Sequence, residues 1–213
     1  MTAPVIIVGA GGHGRVLADA LLLSGRTVLG FVDADPALFG ASRLGLPVLG
    51  SDADLQEGRW PEAVLVNGVG GRPGARVRRE VQERLEAGGR RFTGVIHPAA
   101  VVSAFADVDE TAQVLARAVV QAGGTVSHGS IVNTAAVVEH DGLLEPFVHL
   151  APGAVLCGDV RIGAGSHIGA GAVVREGVLL GPGVVVGAGA VVLADHPGPG
   201  VLVGNPARER MRR

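Results

Sequence analysis

Apolar and polar positions follow two rhythms along this chain. Over residues 1–95 short apolar runs alternate with helical patterns, as in α/β units. The pattern predicts a strand at Val5–Val8, a glycine loop, a helix over Arg15–Leu23, and a second strand at Thr27–Val32 that ends at Asp33. A further strand is expected at Ala63–Val66. A helix near Gly74–Ala87 follows, with Val77, Val81 and Leu85 on one face and Gly88-Gly89 as its stop. A last strand at Phe92–Val95 leads out of this part, and parallel strands joined by crossover helices fit the order.

From Ile96 onward the period becomes six. Ile96, Val102, Val108, Val114 and every sixth residue after them to Val192 are aliphatic without exception. Two positions before each anchor the residue is mostly small, as at Ala112, Ala118, Gly124, Ser130, Ala136, Ala154, Ser166, Ala172 and Ala190. Neither a helix nor a half-buried hairpin produces a period of six. It is the period of a hexapeptide β-helix, a triangular prism in which each hexapeptide makes one face, the aliphatic anchor points inward and the small residue lets the chain turn a corner. Three hexapeptides close one coil, and coils stack about 4.8 Å apart. The expected organisation is an α/β, Rossmann-like domain over 1–95 and a β-helix over 96–213.

Composition sharpens this picture. With 47% hydrophobic and 18% charged residues the chain is a folded protein rather than a disordered one. Aromatics are only 3%, so Val, Ile, Leu and Ala must fill a narrow, repetitive core. The net charge of −2 and the single local basic excess, Arg208, Arg210, Arg212 and Arg213, argue against nucleic acid as a partner. Lone Cys157 cannot form an internal disulfide and has no flanking base to make it a nucleophile. No signal peptide and no long apolar stretch is evident, so no membrane partner is expected and the cytoplasm is the default location.

Two groups of residues carry candidate chemistry. Gly9-Ala10-Gly11-Gly12-His13-Gly14 is a G-x-G-x-x-G between a strand and a helix, with Asp33 after the next strand. Such glycines let a phosphate approach the backbone at a helix N-terminus, and the acid can bind a ribose or a base. A tight βα turn without a ligand is the competing reading. About 90 residues supply one mononucleotide half, so a single nucleotide or nucleotide sugar fits better than NAD.

The second group is histidine-rich. His128, His140, His149, His167 and His196 lie in the repeat, where a surface or structural role is the default for any one of them. His140 stands between Glu139 and Asp141, so a carboxylate is at hand to fix its tautomer and raise its basicity. His149 and His167 share one register on adjacent coils, which should set their rings about 5 Å apart and facing outward. No spacing resembles a structural zinc site, and His149 with His167 lacks a carboxylate in register, so no metal is expected.

Three segments together resemble the bacterial sugar acetyltransferases that join a nucleotide-binding α/β domain to a left-handed parallel β-helix. They are Val5 to Gly14, Ile131 through His140-Asp141 to Pro152, and Val203-Gly204-Asn205-Pro206-Ala207. That group includes UDP-4-amino-sugar and GDP-perosamine N-acetyltransferases and sialic acid O-acetyltransferases. The resemblance implies His140 as catalytic base and Asp141 as the acid that increases its basicity. It also implies His149 beside the acetyl-CoA thioester, with Ala170 and Ala188 along the acetyl-CoA groove. Gly11, Gly12, His13, Asp33 and Gly68 would hold the acceptor's nucleotide, and the assembly would be a homotrimer. Two positions depart from the group's pattern: Gly142 stands where Cys is common, and Asp33 is followed by Ala34 where an acid pair sometimes occurs. The expected activity is acetyl-CoA-dependent N-acetylation of a nucleotide-linked amino sugar. O-acetylation of a sialic acid or another sugar hydroxyl, and a non-catalytic nucleotide-sugar-binding scaffold, are the alternatives.

Overall fold

The computed structural model describes residues 2–71, 73, 74 and 76–210, so Arg212, Arg213 and position 75 of the expected second helix lie outside it. The chain divides into two units, residues 1–98 and 99–213.

In the first unit β1 (Val5–Val8) is buried along its whole length and leads through the glycine loop into α1 (Gly12–Leu23). It is followed by β2 (Val28–Val32), β3 (Ser42–Arg43), β4 (Leu46–Gly50), α2 (Asp52–Gln56), β5 (Val64–Asn67) and α3 (Val77–Ala87). The sheet order is β3-β4-β2-β1-β5, parallel except for the antiparallel edge strand β3. Ile6, Val8, Val32, Leu55, Leu65, Leu85 and Phe92 form a core between sheet and helices. Because β2 and β5 flank β1 on opposite sides, the strand order reverses at β1. The carboxyl ends of β1 and β5 therefore open a crevice, the place where open α/β sheets bind ligands.

Several elements differ from the sequence expectation. α1 starts at Gly12, ahead of the expected Arg15, and α3 begins at Val77. Val77 is 55% exposed, so it is not a core residue beside Leu85. The expected strand Phe92–Val95 is broken into a single bridge from Phe92 to Leu65 and a two-residue strand at Val95–Ile96. β3, β4 and α2 were not foreseen, since Pro47 and the surrounding glycines read as punctuation rather than as a strand.

The second unit is a left-handed parallel β-helix of two-residue strands in three sheets. The first face stacks the strands at 101–102, 119–120, 137–138, 155–156, 173–174 and 191–192. A second stacks 107–108, 125–126, 143–144, 161–162 and 179–180. On the third, 113–114, 131–132, 149–150, 167–168 and 185–186 are continued by Val201–Val203 and closed by antiparallel Arg208–Glu209. Between the strands from 101 to 192 the pairings join residues one coil apart, as in Val137↔Val155 and His149↔His167.

The anchors from Val114 to Val192 are buried, each worth roughly 1.5–3 kcal/mol over an exposed side chain. The start of the series departs from this. Val102 and Val108 are half-buried, and Ile96 is 50% exposed, so it is no inward anchor.

The corners also differ from expectation. The small residue two before the anchor points into the core, as Ala118, Ala136 and Ala154 do. The turn itself is made one residue earlier, where φ is positive in every hexapeptide from Arg117 to Gly189. Glycine fills most of these positions, because the left-handed region costs an L-residue roughly 1–2 kcal/mol. Arg117, Ala135, Asp141, Phe147 and Asp159 are the exceptions.

Candidate functional site

The crevice of the first unit encloses about 310 Å³, within the range of small-molecule sites. The ends of β1, β2 and β5 supply Val8, Gly9, Val32, Asp33, Gly68 and Val69, and the loop supplies Gly11. Asp52 of α2 and Val77 and Val81 of α3 complete its wall, so exposed Val77 borders the crevice, while half-buried Val81 borders it and also packs against the core. The glycines divide by role. A Cβ on Gly14 would land on the Gly9 carbonyl oxygen, and one on Gly68 would fall 2.6 Å from Ile7 Cγ2 and 2.9 Å from Gly14 Cα. Those two glycines serve packing. A Cβ on Gly11 or Gly12 would meet nothing within 4 Å. Both are exposed at the start of α1, where no side chain caps the helix, so their smallness leaves backbone open to an anion.

Asp33 is committed within the loop. Its Oδ2 accepts the Ala10 N–H at 2.7 Å and its Oδ1 accepts the Asp35 N–H at 3.0 Å. Asp52, unforeseen from the sequence, pairs with Arg84 while lining the crevice. His13 is half-buried in the first turn of α1.

On the β-helix, His140 and Asp141 sit at the corner between the first and second faces. His140 Nδ1 lies 2.9 Å from Asp141 Oδ2, and both side chains are about two-thirds exposed, at 66% and 68%. A carboxylate accepts, so Nδ1 carries the proton and neutral His140 keeps its lone pair on Nε2. The hydrogen bond that His140 donates to Asp141 raises the His140 pKa above the ordinary histidine value. Partial desolvation opposes the shift, and the charges of Asp141, Glu139 and Asp159 add to it. Asp141, not Glu139, is the acid in contact with the ring.

His149 lies on the third face, half-buried, with Nε2 3.1 Å from Asn133 Nδ2. The amide donates, so Nε2 accepts. The His149 and His167 rings are 4.8 Å apart and edge to face. Burial lowers the His167 pKa, because desolvation disfavours the charged ring. Asn133 lies inside a segment already singled out but carried no individual signal in the sequence. Ala170 and Ala188 are exposed and stack at the corner between the third and first faces, where Gly189 donates its N–H to Ala170 O at 2.8 Å.

The other histidines of the repeat have structural partners. His128 Nδ1 is 3.1 Å from Thr111 Oγ1, under the edge of Phe147, and His196 Nδ1 accepts the Gly198 N–H. Cys157 is free and half-buried. Among the described residues no group of His, Cys, Asp or Glu is placed to hold a metal ion, and no helix is long and apolar enough to cross a membrane.

Known proteins match this arrangement along its whole length. A family model described as the PglD N-terminal domain matches residues 4–85, and one described as the bacterial transferase hexapeptide (six repeats) matches 143–176 and 159–194. The acetyltransferase domain of PglB from Neisseria gonorrhoeae FA1090, solved in complex with acetyl coenzyme A, is 40% identical, with a TM-score of 0.89 over 99% of this chain and 100% of that one. PerB from Caulobacter crescentus, solved with CoA and GDP-perosamine, is 35% identical, with a TM-score of 0.90 over 99% of each chain. Perosamine N-acetyltransferase from that organism has also been crystallised with the same ligands after replacement of a histidine by Asn or by Ala. WeeI from Acinetobacter baumannii AYE is 25% identical, with a TM-score of 0.82 over 98% of this chain and 100% of that one. No curated protein matches the chain.

Proposed function

The chain belongs to the bacterial sugar acetyltransferases that carry a PglD-type N-terminal domain ahead of a hexapeptide β-helix, and from that premise we propose that it moves the acetyl group of acetyl-CoA onto the amine of a nucleotide-linked amino sugar. The observation that carries this reading is the His140–Asp141 pair, a base with its tautomer fixed on an exposed corner of the β-helix.

An ammonium cannot attack a thioester, so the acceptor must lose its proton. Neutral His140 takes a proton at Nε2 as the amine nitrogen bonds to the thioester carbonyl carbon. Asp141 then faces an imidazolium rather than an imidazole, and its charge stabilises that state. When the tetrahedral intermediate collapses, the C–S bond breaks and the proton held by His140 passes to the CoA sulfur. No covalent intermediate with the protein is required. A positioned base of this kind supplies roughly 10²–10⁴-fold, and holding both substrates together supplies much of the rest. The nucleotide of the acceptor belongs in the crevice of the first unit. Gly11 and Gly12 present backbone to its phosphates, and the valines and Asp33 border the nucleoside.

Assembly follows from where the candidate residues fall on one prism. His140 lies at one edge of the first face, whereas Ala170 and Ala188 lie at its other edge and His149 lies on the third face. A thioester reached by both His140 and His149 therefore sits between two copies of the chain. The first face between those edges presents Val101, Val119, Val137, Val155, Val173 and Val191 outward, an apolar ladder with no charge in it. Three copies packed by that face bring an acetyl-CoA edge of each against a His140 edge of the next, which supports a homotrimer. Acetyl-CoA and nucleotide sugars are cytoplasmic metabolites, which supports a cytoplasmic location.

The test is release of free CoA with a panel of UDP-, GDP- and TDP-linked amino sugars beside free sialic acid. Turnover with one amino sugar and none with sialic acid is expected. Turnover with sialic acid alone would make the protein an O-acetyltransferase, and none with any acceptor would leave a binding scaffold.

A further inference from the structure

The His140 ring rests on a glycine that the fold itself does not require. Gly158 stands one coil beyond His140, where the next residue, Asp159, donates its N–H to the His140 carbonyl at 2.9 Å. A Cβ on Gly158 would fall 2.5 Å from His140 Cε1, 3.1 Å from Cδ2 and closer still to Nε2, and these are the nearest atoms it would meet. The Nε2–Cε1 edge of the imidazole therefore occupies the space a side chain would take.

Neither usual reason for a glycine applies. Gly158 is not among the residues of positive φ, so the backbone there is one that L-residues adopt. The repeat also accepts side chains at this place, since the same position in other hexapeptides holds Ala122, Thr134, Pro152, Ala164 and Glu176. Gly123, beneath Asp141, is different. Its φ of 74° accounts for it as a corner glycine, whatever room it also leaves for the carboxylate.

We propose that Gly158 is a positioning residue for His140. Its missing side chain leaves the seat in which the imidazole keeps Nδ1 on Asp141 and leaves Nε2 approachable by the acceptor. The importance for turnover rests on the general-base reading of His140; the seat itself does not. A Cβ here meets the far end of a flexible side chain rather than backbone, so the ring can swing away at small cost to the fold. The displacement would fall on the reacting group and on its 2.9 Å contact with Asp141.

The experiment is Gly158→Ala in the full chain, read in three ways. Turnover should fall on the order of 10²-fold, as for a reacting group misplaced by about 1 Å, with the acetyl-CoA KM unchanged. The His140 imidazole, followed by NMR, should titrate above the ordinary histidine range in the parent and return towards it in the variant. Any loss of Tm caused by Gly158→Ala should vanish when the same substitution is made in a His140→Ala background, because the obstacle has gone. Parental turnover and parental His140 titration in Gly158→Ala would overturn the proposal. So would a loss of Tm that persists without His140, since the glycine would then serve the coil. If His140→Ala is itself fully active, the general-base reading fails, while the titration and the stability cycle still decide whether Gly158 seats the ring.

Discussion

Asp33 holds Ala10: its Oδ2 accepts the Ala10 N–H at 2.7 Å, tying the end of β2 to the loop in front of α1. With Oδ1 engaged by Asp35, the acid expected to meet a ribose is first a clamp on the glycine loop. Each oxygen retains a second lone pair for a ligand hydroxyl, so the two duties are compatible. They are not separable by deleting the side chain.

Gly12→Val is therefore the cleaner probe of the crevice. Its Cβ meets nothing within 4 Å, so Tm should hold while the acceptor KM rises and the acetyl-CoA KM stays put. Asp33→Ala should raise the acceptor KM and also lower Tm, because the Ala10 N–H loses its partner. Steady-state kinetics with both substrates, beside thermal melts, checks this. An equal rise in both KM values for Gly12→Val would remove the nucleotide from the crevice.

Much of this arrangement was legible because β-helix geometry is so regular. Register alone placed the His149 and His167 rings about 5 Å apart, against 4.8 Å in the structure. The same regularity hid the corner residues. Most positive-φ positions are glycines in a glycine-rich chain, so their period was masked, and Arg117, Ala135, Asp141, Phe147 and Asp159 break the run without a compositional mark. The choice between Glu139 and Asp141 was open in sequence, because both flank His140. Left-handed backbone at Asp141 accompanies its 2.9 Å contact with the ring. Asp52 and Gly158 escaped notice for a different reason: their relevance lies in residues brought near by folding, Asp52 to the end of β2 and Gly158 to a ring one coil away.

The valine ladder predicts the oligomeric state. Val155→Asp with Val173→Asp puts two charges on the first face without touching the buried anchors Leu156 and Val174. Sedimentation should show the parent as a trimer and the double variant as a monomer that has lost most of its turnover. A double variant that remains trimeric and active would move the interface to another face.

Corner strain predicts a stability change with no contact involved. Gly165 has φ 67° and a Cβ there would meet nothing within 4 Å, so Gly165→Ala isolates the backbone cost. A loss of roughly 1–2 kcal/mol in denaturant unfolding is expected, with kinetics unchanged. Arg117→Gly, at an equivalent corner, should be neutral or slightly stabilising, because the strain it relieves is offset by the added freedom of the unfolded chain.

His140 should set the acid limb of the pH profile. Its pKa is raised in the folded protein, first by the Asp141 hydrogen bond, so the protonated form persists to higher pH than for an ordinary histidine near about 6.5. The sign for stability follows: whatever the pair contributes is present at low pH and is lost as pH rises through the raised value. Catalysis runs the other way, since only the neutral ring accepts a proton, and kcat/KM should climb through that same range. Asp141→Asn removes the partner that favours the charged form, so the limb should move to lower pH while the plateau falls from loss of orientation. His140→Ala should remove the histidine's share of the limb, lower kcat by roughly 10²–10⁴-fold and leave the acetyl-CoA KM alone. Glu139→Gln removes only a weaker charge effect than those of Asp141 and should shift the limb slightly in the same direction. An unmoved limb in Asp141→Asn, beside a large shift in Glu139→Gln, would transfer the orienting role to Glu139. Parental turnover in a trimeric His140→Ala variant would leave positioning of the two substrates, without a base, to account for the rate.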